Sequence, residues 1–149
     1  MAFTPDVIVT TDYSPGTIAL VAEAKGATAN LDEAGLQLKE YMLRMGCPVG
    51  IIFTPQVLRV YKYRFLGRTE DPIELVGDFP SGELVETRGS LAGPESADES
   101  TLVGWLDELA HTGQVAVSDQ RLESAINQHI LPAVTGGRVS IAHPSMRES

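Results

Sequence analysis

Two hydrophobic periods alternate along the first half of the chain. Val7-Ile8-Val9, entered through Pro5-Asp6, is a short apolar run, and Ala19 to Lys25 (ALVAEAK) is a second. Under the two-residue period of a β-strand, the second run sends Leu20, Ala22 and Ala24 to one face and Ala19, Val21, Glu23 and Lys25 to the other. A carboxylate and an ammonium therefore fall side by side at what should be the strand's exposed end. Thr10 to Gly16 (TTDYSPG) has turn composition, so the two runs are predicted to form a hairpin that brings Asp6 towards Glu23 and Lys25. The period then lengthens. Leu31, Ala34, Leu38, Tyr41, Met42 and Met45 form one stripe of a helix over about 32–45, capped by Asn30 or Asp32 and stopped by Gly46. Pro48 to Thr54 (PVGIIFT) reads as a strand buried on both faces, and strand, helix and strand in this order predict a right-handed crossover onto a parallel neighbour. Thr54-Pro55-Gln56 reverses the chain, and Val57 to Tyr63 (VLRVYKY) alternates as a final antiparallel strand with Arg59 outward and Tyr61 a second outward candidate.

The second half is less regular. Ile73 to Val76 and Leu84-Val85 are short apolar runs, strands or merely strand-like, on either side of Gly77-Asp78-Phe79-Pro80-Ser81-Gly82. Residues 93–100 (GPESADES) have linker composition and should hold the most mobile interior segment. Apolar stripes predict helices over 98–110, with Trp105 in the core, and over 118–131, capped by Ser118 and ended by Pro132 and Gly136-Gly137. The last residues should fray. The expected organisation is a core over 1–68 and an acidic extension over 69–149, either part of the same compact unit or a small appendage.

Charge sharpens that division. Residues 1–68 carry a net +1 and residues 69–149 a net −10, within a total of −9. A chain this acidic is a poor standing attractant for a polyanion, so any contact with nucleic acid should rest on the first half or on a larger assembly. No apolar run reaches the ~18 residues of a transmembrane helix, so no membrane partner is expected. MAFTPDVIV lacks the basic start of a secretory signal, and Cys47 is the sole cysteine, which makes the reducing cytoplasm the expected compartment and a buried thiol the expected state. His111, His129 and His143 are scattered without ligand spacing, which argues against zinc.

Pro5-Asp6, sixteen residues, and then Glu23-Ala24-Lys25 resembles the PD-(D/E)xK signature of restriction-endonuclease-like nucleases. Gln37 and Tyr41 reproduce the QxxxY element that one branch carries on the helix after the lysine strand. The stretch from Pro5 to Lys62 is most similar to the N-terminal nuclease domain of type I restriction enzyme motor subunits. The resemblance implies an α/β fold, a mixed β-sheet flanked by helices, here with a C-terminal helical extension. It implies Mg²⁺ or Mn²⁺ held by Asp6, Glu23 and the Ala24 carbonyl, with Asp6, Glu23 and Lys25 catalytic and Gln37 and Tyr41 positioning the substrate. DNA is the implied substrate, and a separate motor or specificity subunit an implied partner. The family places a helix before its PD strand, and only four residues precede Pro5, so that helix is expected to be absent. No GxxxxGK[ST] occurs, so the chain has no motor of its own.

The residue types suit the chemistry. Magnesium is a hard ion that takes one or two carboxylates beside waters and phosphate oxygens, and a lysine can orient or help deprotonate the attacking water. Other readings of the same residues are blander. Glu23 with Lys25 is also a common surface ion pair, Gln37 and Tyr41 an exposed amide and a core-edge phenol, and Asp12 either a further ligand or an Asx turn. The bases from Arg59 to Arg68 suit phosphates or a solvated hairpin face. A nuclease fold that binds without turnover is the competing function.

Overall fold

The computed structural model describes residues 5–11, 17–26, 30–64, 72–87, 99–114 and 117–141. Its elements are β1 (Val7–Thr11), β2 (Ile18–Ala24), α1 (Leu31–Met45), β3 (Val49–Phe53), β4 (Val57–Tyr63), β5 (Ile73–Pro80), α2 (Gly82–Thr87), α3 (Glu99–Thr112), α4 (Gln120–Ala125), a π-helical turn (Ile126–Ile130), α5 (Leu131–Val134) and β6 (Gly137–Ile141). The fold is mixed α/β. One six-stranded sheet runs in the order β5-β4-β3-β2-β1-β6, with helices on both faces. No described helix is long and apolar enough to cross a membrane.

The predicted first half is present with its predicted connections. β1 pairs antiparallel with β2, β2 parallel with β3 through α1, and β3 antiparallel with β4. Asn30 caps α1 by accepting from the Glu33 N–H at 3.1 Å, and Gly46 ends it at φ 67°, a left-handed setting that glycine adopts without a Cβ penalty. Ala34, Leu38 and Met42 lie over Val21, Ile52 and Tyr61, forming one apolar cluster with the buried Cys47. The opposite sheet face forms a larger cluster, in which Leu20, Ile51, Phe53 and Val60 meet Leu102, Trp105 and Leu106 of α3 and Leu122, Ile126 and Ile130 further on.

The expected outward orientation of Arg59 and Tyr61 is corrected. Cross-strand pairing puts both on the α1 face, where Tyr61 is buried and the Arg59 side chain is only 13% exposed. β4 is not the final strand either. β5 continues through Gly77, Asp78 and Phe79 to pair with β4, and Leu84 belongs to a helix. Asp119, rather than Ser118, caps α4, and Ser118 instead donates to Glu83. The helical path survives Pro132 because the preceding turn widens to π geometry, with the Leu131 N–H donating to the Ile126 carbonyl. A proline near the start of the next helical segment gives up an N–H that has no fixed partner there. The helical path ends at Val134, Gly136 turns the chain at φ 74°, and Gly137 then opens β6, which pairs along the whole of β1. Asp12, the linker at 93–98 and the terminal residues from 142 lie outside the described residues.

Candidate active site at the end of β2

Asp6 enters β1 one residue before Val7, and Val7 pairs with Ala22, so the register sets Asp6 opposite Glu23. The two strands are tied there by their own carboxylates. The Asp6 N–H donates to Glu23 Oε1 at 3.0 Å, and the Ala24 N–H donates to Asp6 Oδ2 at 2.9 Å. Lys25 Nζ stands 3.2 Å from Glu23 Oε2. The Lys25 N–H donates to the Phe53 carbonyl at 2.9 Å, which extends the β2–β3 ladder one residue past the strand and fixes the lysine's backbone. Asp6, Glu23 and Lys25, with the backbone N–H of Ala24, thus form one bonded group, in which Glu23 lies on the sheet face that α1 covers while the Ala24 side chain packs on the opposite face. Charge-assisted bonds of this kind are about twice as strong as neutral ones.

The strand end is less open than the sequence pattern implies. Glu23 is 6% exposed, whereas the Lys25 side chain keeps 33% of its surface. Burial raises the Glu23 carboxyl above its ordinary 4.5, the negative charge of Asp6 raises it further, and Lys25 opposes both. A raised carboxyl stays protonated in the fold after the unfolded chain has released its proton. As pH climbs from 4.5 through the raised value, the folded state therefore loses stability relative to the unfolded one. Glu23→Gln keeps an oxygen for the Asp6 N–H and removes the charge. We expect it to raise the melting temperature of the metal-free protein at neutral pH but not below pH 4, as calorimetry at the two pH values would show; a lower melting temperature at pH 7 would contradict this electrostatic account.

Gln37 and Tyr41 are not drawn into this bonded group. Gln37 is exposed on α1, and Tyr41 is half-buried against the second cluster with Arg44 over its ring at 5.6 Å. Burial raises the Tyr41 hydroxyl, and the nearby Cys47 raises it further. Cys47 follows the C-terminus of α1, whereas the site adjoins its N-terminus; Tyr41 is about 15 Å of helix axis beyond Leu31.

The same sheet face carries further charged groups that sequence reading did not assemble. Glu23 pairs in register with Ile52, Ile52 with Arg59, and Arg59 with Asp78. Arg59 donates from Nε and Nη2 to both oxygens of Asp78 at 2.7 and 2.9 Å, and from Nη1 to Asp32 in the first turn of α1 at 3.2 Å. Alternation marked Arg59, but Asp78 stands in the stretch 77–82, between the two apolar runs, to which the sequence pattern assigned no element. Among the described residues, no three metal-ligating side chains converge. A cation here would draw on two carboxylates and the Ala24 carbonyl, a hard oxygen set that suits magnesium with its remaining positions left to water or substrate. Burial first, and the charge of Asp6 second, raise the Glu23 carboxyl, and a cation shared by the two carboxylates would oppose that shift. Comparison of the chain with known protein families, characterised proteins and solved structures gave no match.

Proposed function

We propose that the chain is a metal-dependent DNA nuclease with a restriction-endonuclease-like sheet, hydrolysing phosphodiester bonds at Asp6, Glu23 and Lys25. The reading is carried by one observation: the carboxylates of Asp6 and Glu23 face each other across β1 and β2, each held by a backbone N–H of the other strand, with Lys25 at 3.2 Å. Asp6, Glu23 and the Ala24 carbonyl would hold Mg²⁺ or Mn²⁺. When bound, the ion supplies Lewis-acid polarisation of the phosphate and a more acidic water. The Lys25 ammonium orients the attacking water and offsets charge growing on the phosphate oxygens. Gln37 and Tyr41 are assigned to the substrate backbone in this reading, and a motor or specificity subunit in the cytoplasm would deliver the DNA. The net charge of −9 favours a second reading, a nuclease fold that binds a partner without turnover.

Two measurements separate these. Magnesium or manganese at 100 times its dissociation constant should stabilise the wild-type protein by about 2.7 kcal/mol, and Glu23→Gln should abolish that gain. Supercoiled or linear DNA should be cut only with the metal. A metal-independent melting temperature, together with intact DNA, would leave only the non-catalytic module.

A further inference from the structure

The row Glu23, Ile52, Arg59, Asp78 crosses four strands on one face, and at the usual strand spacing its arginine stands roughly 10 Å from Glu23. Arg59 is held unevenly. Asp78 takes Nε and Nη2 as a bidentate pair, which fixes the guanidinium plane, and the buried Tyr61 hydroxyl adds a further hydrogen bond, whereas the 3.2 Å bond from Nη1 runs to Asp32, whose side chain is 94% exposed. An exposed carboxylate gains little from such a pair and loses little by leaving it. A planar guanidinium already oriented by one acid is suited to take a phosphate on its remaining edge.

The geometry points to Arg59 as a phosphate-seating residue, holding the backbone of a polynucleotide beside the bond addressed by Asp6, Glu23 and Lys25, with Asp32 occupying the seat until substrate displaces it. The inference rests on the nuclease reading for the nature of the polymer. It deepens that reading in one respect: the substrate is a chain long enough to place a second phosphate two strands away, not a mononucleotide or other small phosphodiester. The separation is too great for Arg59 to share the scissile phosphate, so it positions substrate and is not catalytic.

The two acids around Arg59 give the test opposite signs. Binding of a fluorescein-labelled 30-base-pair DNA duplex is followed by anisotropy in metal-free buffer across a salt series. Arg59→Gln should weaken binding about tenfold and lower the salt slope by about one phosphate contact. Asp32→Asn should strengthen binding about two- to fivefold. A purely structural ion pair would lower both melting temperatures and move neither affinity. Because Arg59→Gln also leaves Asp78 without its cation, Asp32→Asn decides the matter if the arginine variant does not fold. Unchanged affinity in Asp32→Asn, or no measurable binding by the wild type, overturns the proposal. Arg59-dependent binding without magnesium-dependent cleavage would instead overturn the nuclease reading and leave the phosphate seat standing.

Discussion

Lys25→Ala and Glu23→Gln should each reduce magnesium-dependent DNA cleavage by about 10²–10⁴-fold, the range associated with losing a positioned acid–base or charge-stabilising group. The two losses arise differently. Glu23→Gln removes the charge that a cation would share with Asp6, so raising magnesium should recover part of the rate. Lys25→Ala removes an ammonium that is held at 3.2 Å from Glu23 Oε2 and is one-third exposed, and added metal should recover none. Misfolding is separable from both effects, because the glutamine variant is expected to melt above the wild type without metal. Single-turnover rates across a magnesium series would check the pair. Equal rates for wild type and Lys25→Ala would remove the lysine from the chemistry.

The second large effect concerns the seat of α1 on the sheet. Gly35 faces Tyr61, and a Cβ built on it would stand 2.1 Å from the Tyr61 hydroxyl oxygen and 3.1 Å from the ring carbon that bears it. Helix propensity alone would make Gly35→Ala stabilising by about 1 kcal/mol. Tyr61 is buried beneath α1 and its ring has little room to yield, so we expect a net loss of about 1–3 kcal/mol, the usual cost of overpacking. For a domain of this size that lowers the melting temperature by about 2–4 °C per kcal/mol. Tyr61→Phe removes the nearest atom, so the double variant should recover much of the loss. A melting temperature for Gly35→Ala at or above the wild type's would show that α1 stands further from β4.

The legible part of the fold was the part in which apolar spacing and local punctuation agree. Asn30, the stripe through Leu38 and Met42, and Gly46 bound α1, and the run at 49–53 is buried on both faces as a parallel interior strand must be. β5 and β6 were obscured by their glycines. Gly77 takes φ 158° beside the register shift between Val60 and Tyr61, and Gly137 lets β6 approach β1, where a Cβ would meet the Thr10 carbonyl at 2.9 Å. A residue that marks a turn in sequence here permits a bulge and a close strand contact. At the candidate site, spacing located Asp6, Glu23 and Lys25 because the hairpin register is local. Glu23's burial was not legible, since it depends on α1 and β3 closing over the strand. Arg59 with Asp78 depends on β5 running on past Val76, which the sequence pattern did not show.

β6 lies against β1, the strand that leads directly from Asp6. During synthesis, β1, β2, α1 and β3 leave the ribosome before β6, and among the described residues the outer flank of β1 has no sheet partner until 137–141 follow, more than 120 residues later. For most of that interval the strand beside the candidate site is a bare sheet edge, open to pairing with another nascent chain. Closing so long a loop costs more entropy than closing a local hairpin. The nascent hairpin can therefore set the two carboxylates opposite each other well before β6 arrives, and among the described strands the one adjoining the site waits longest for its second neighbour.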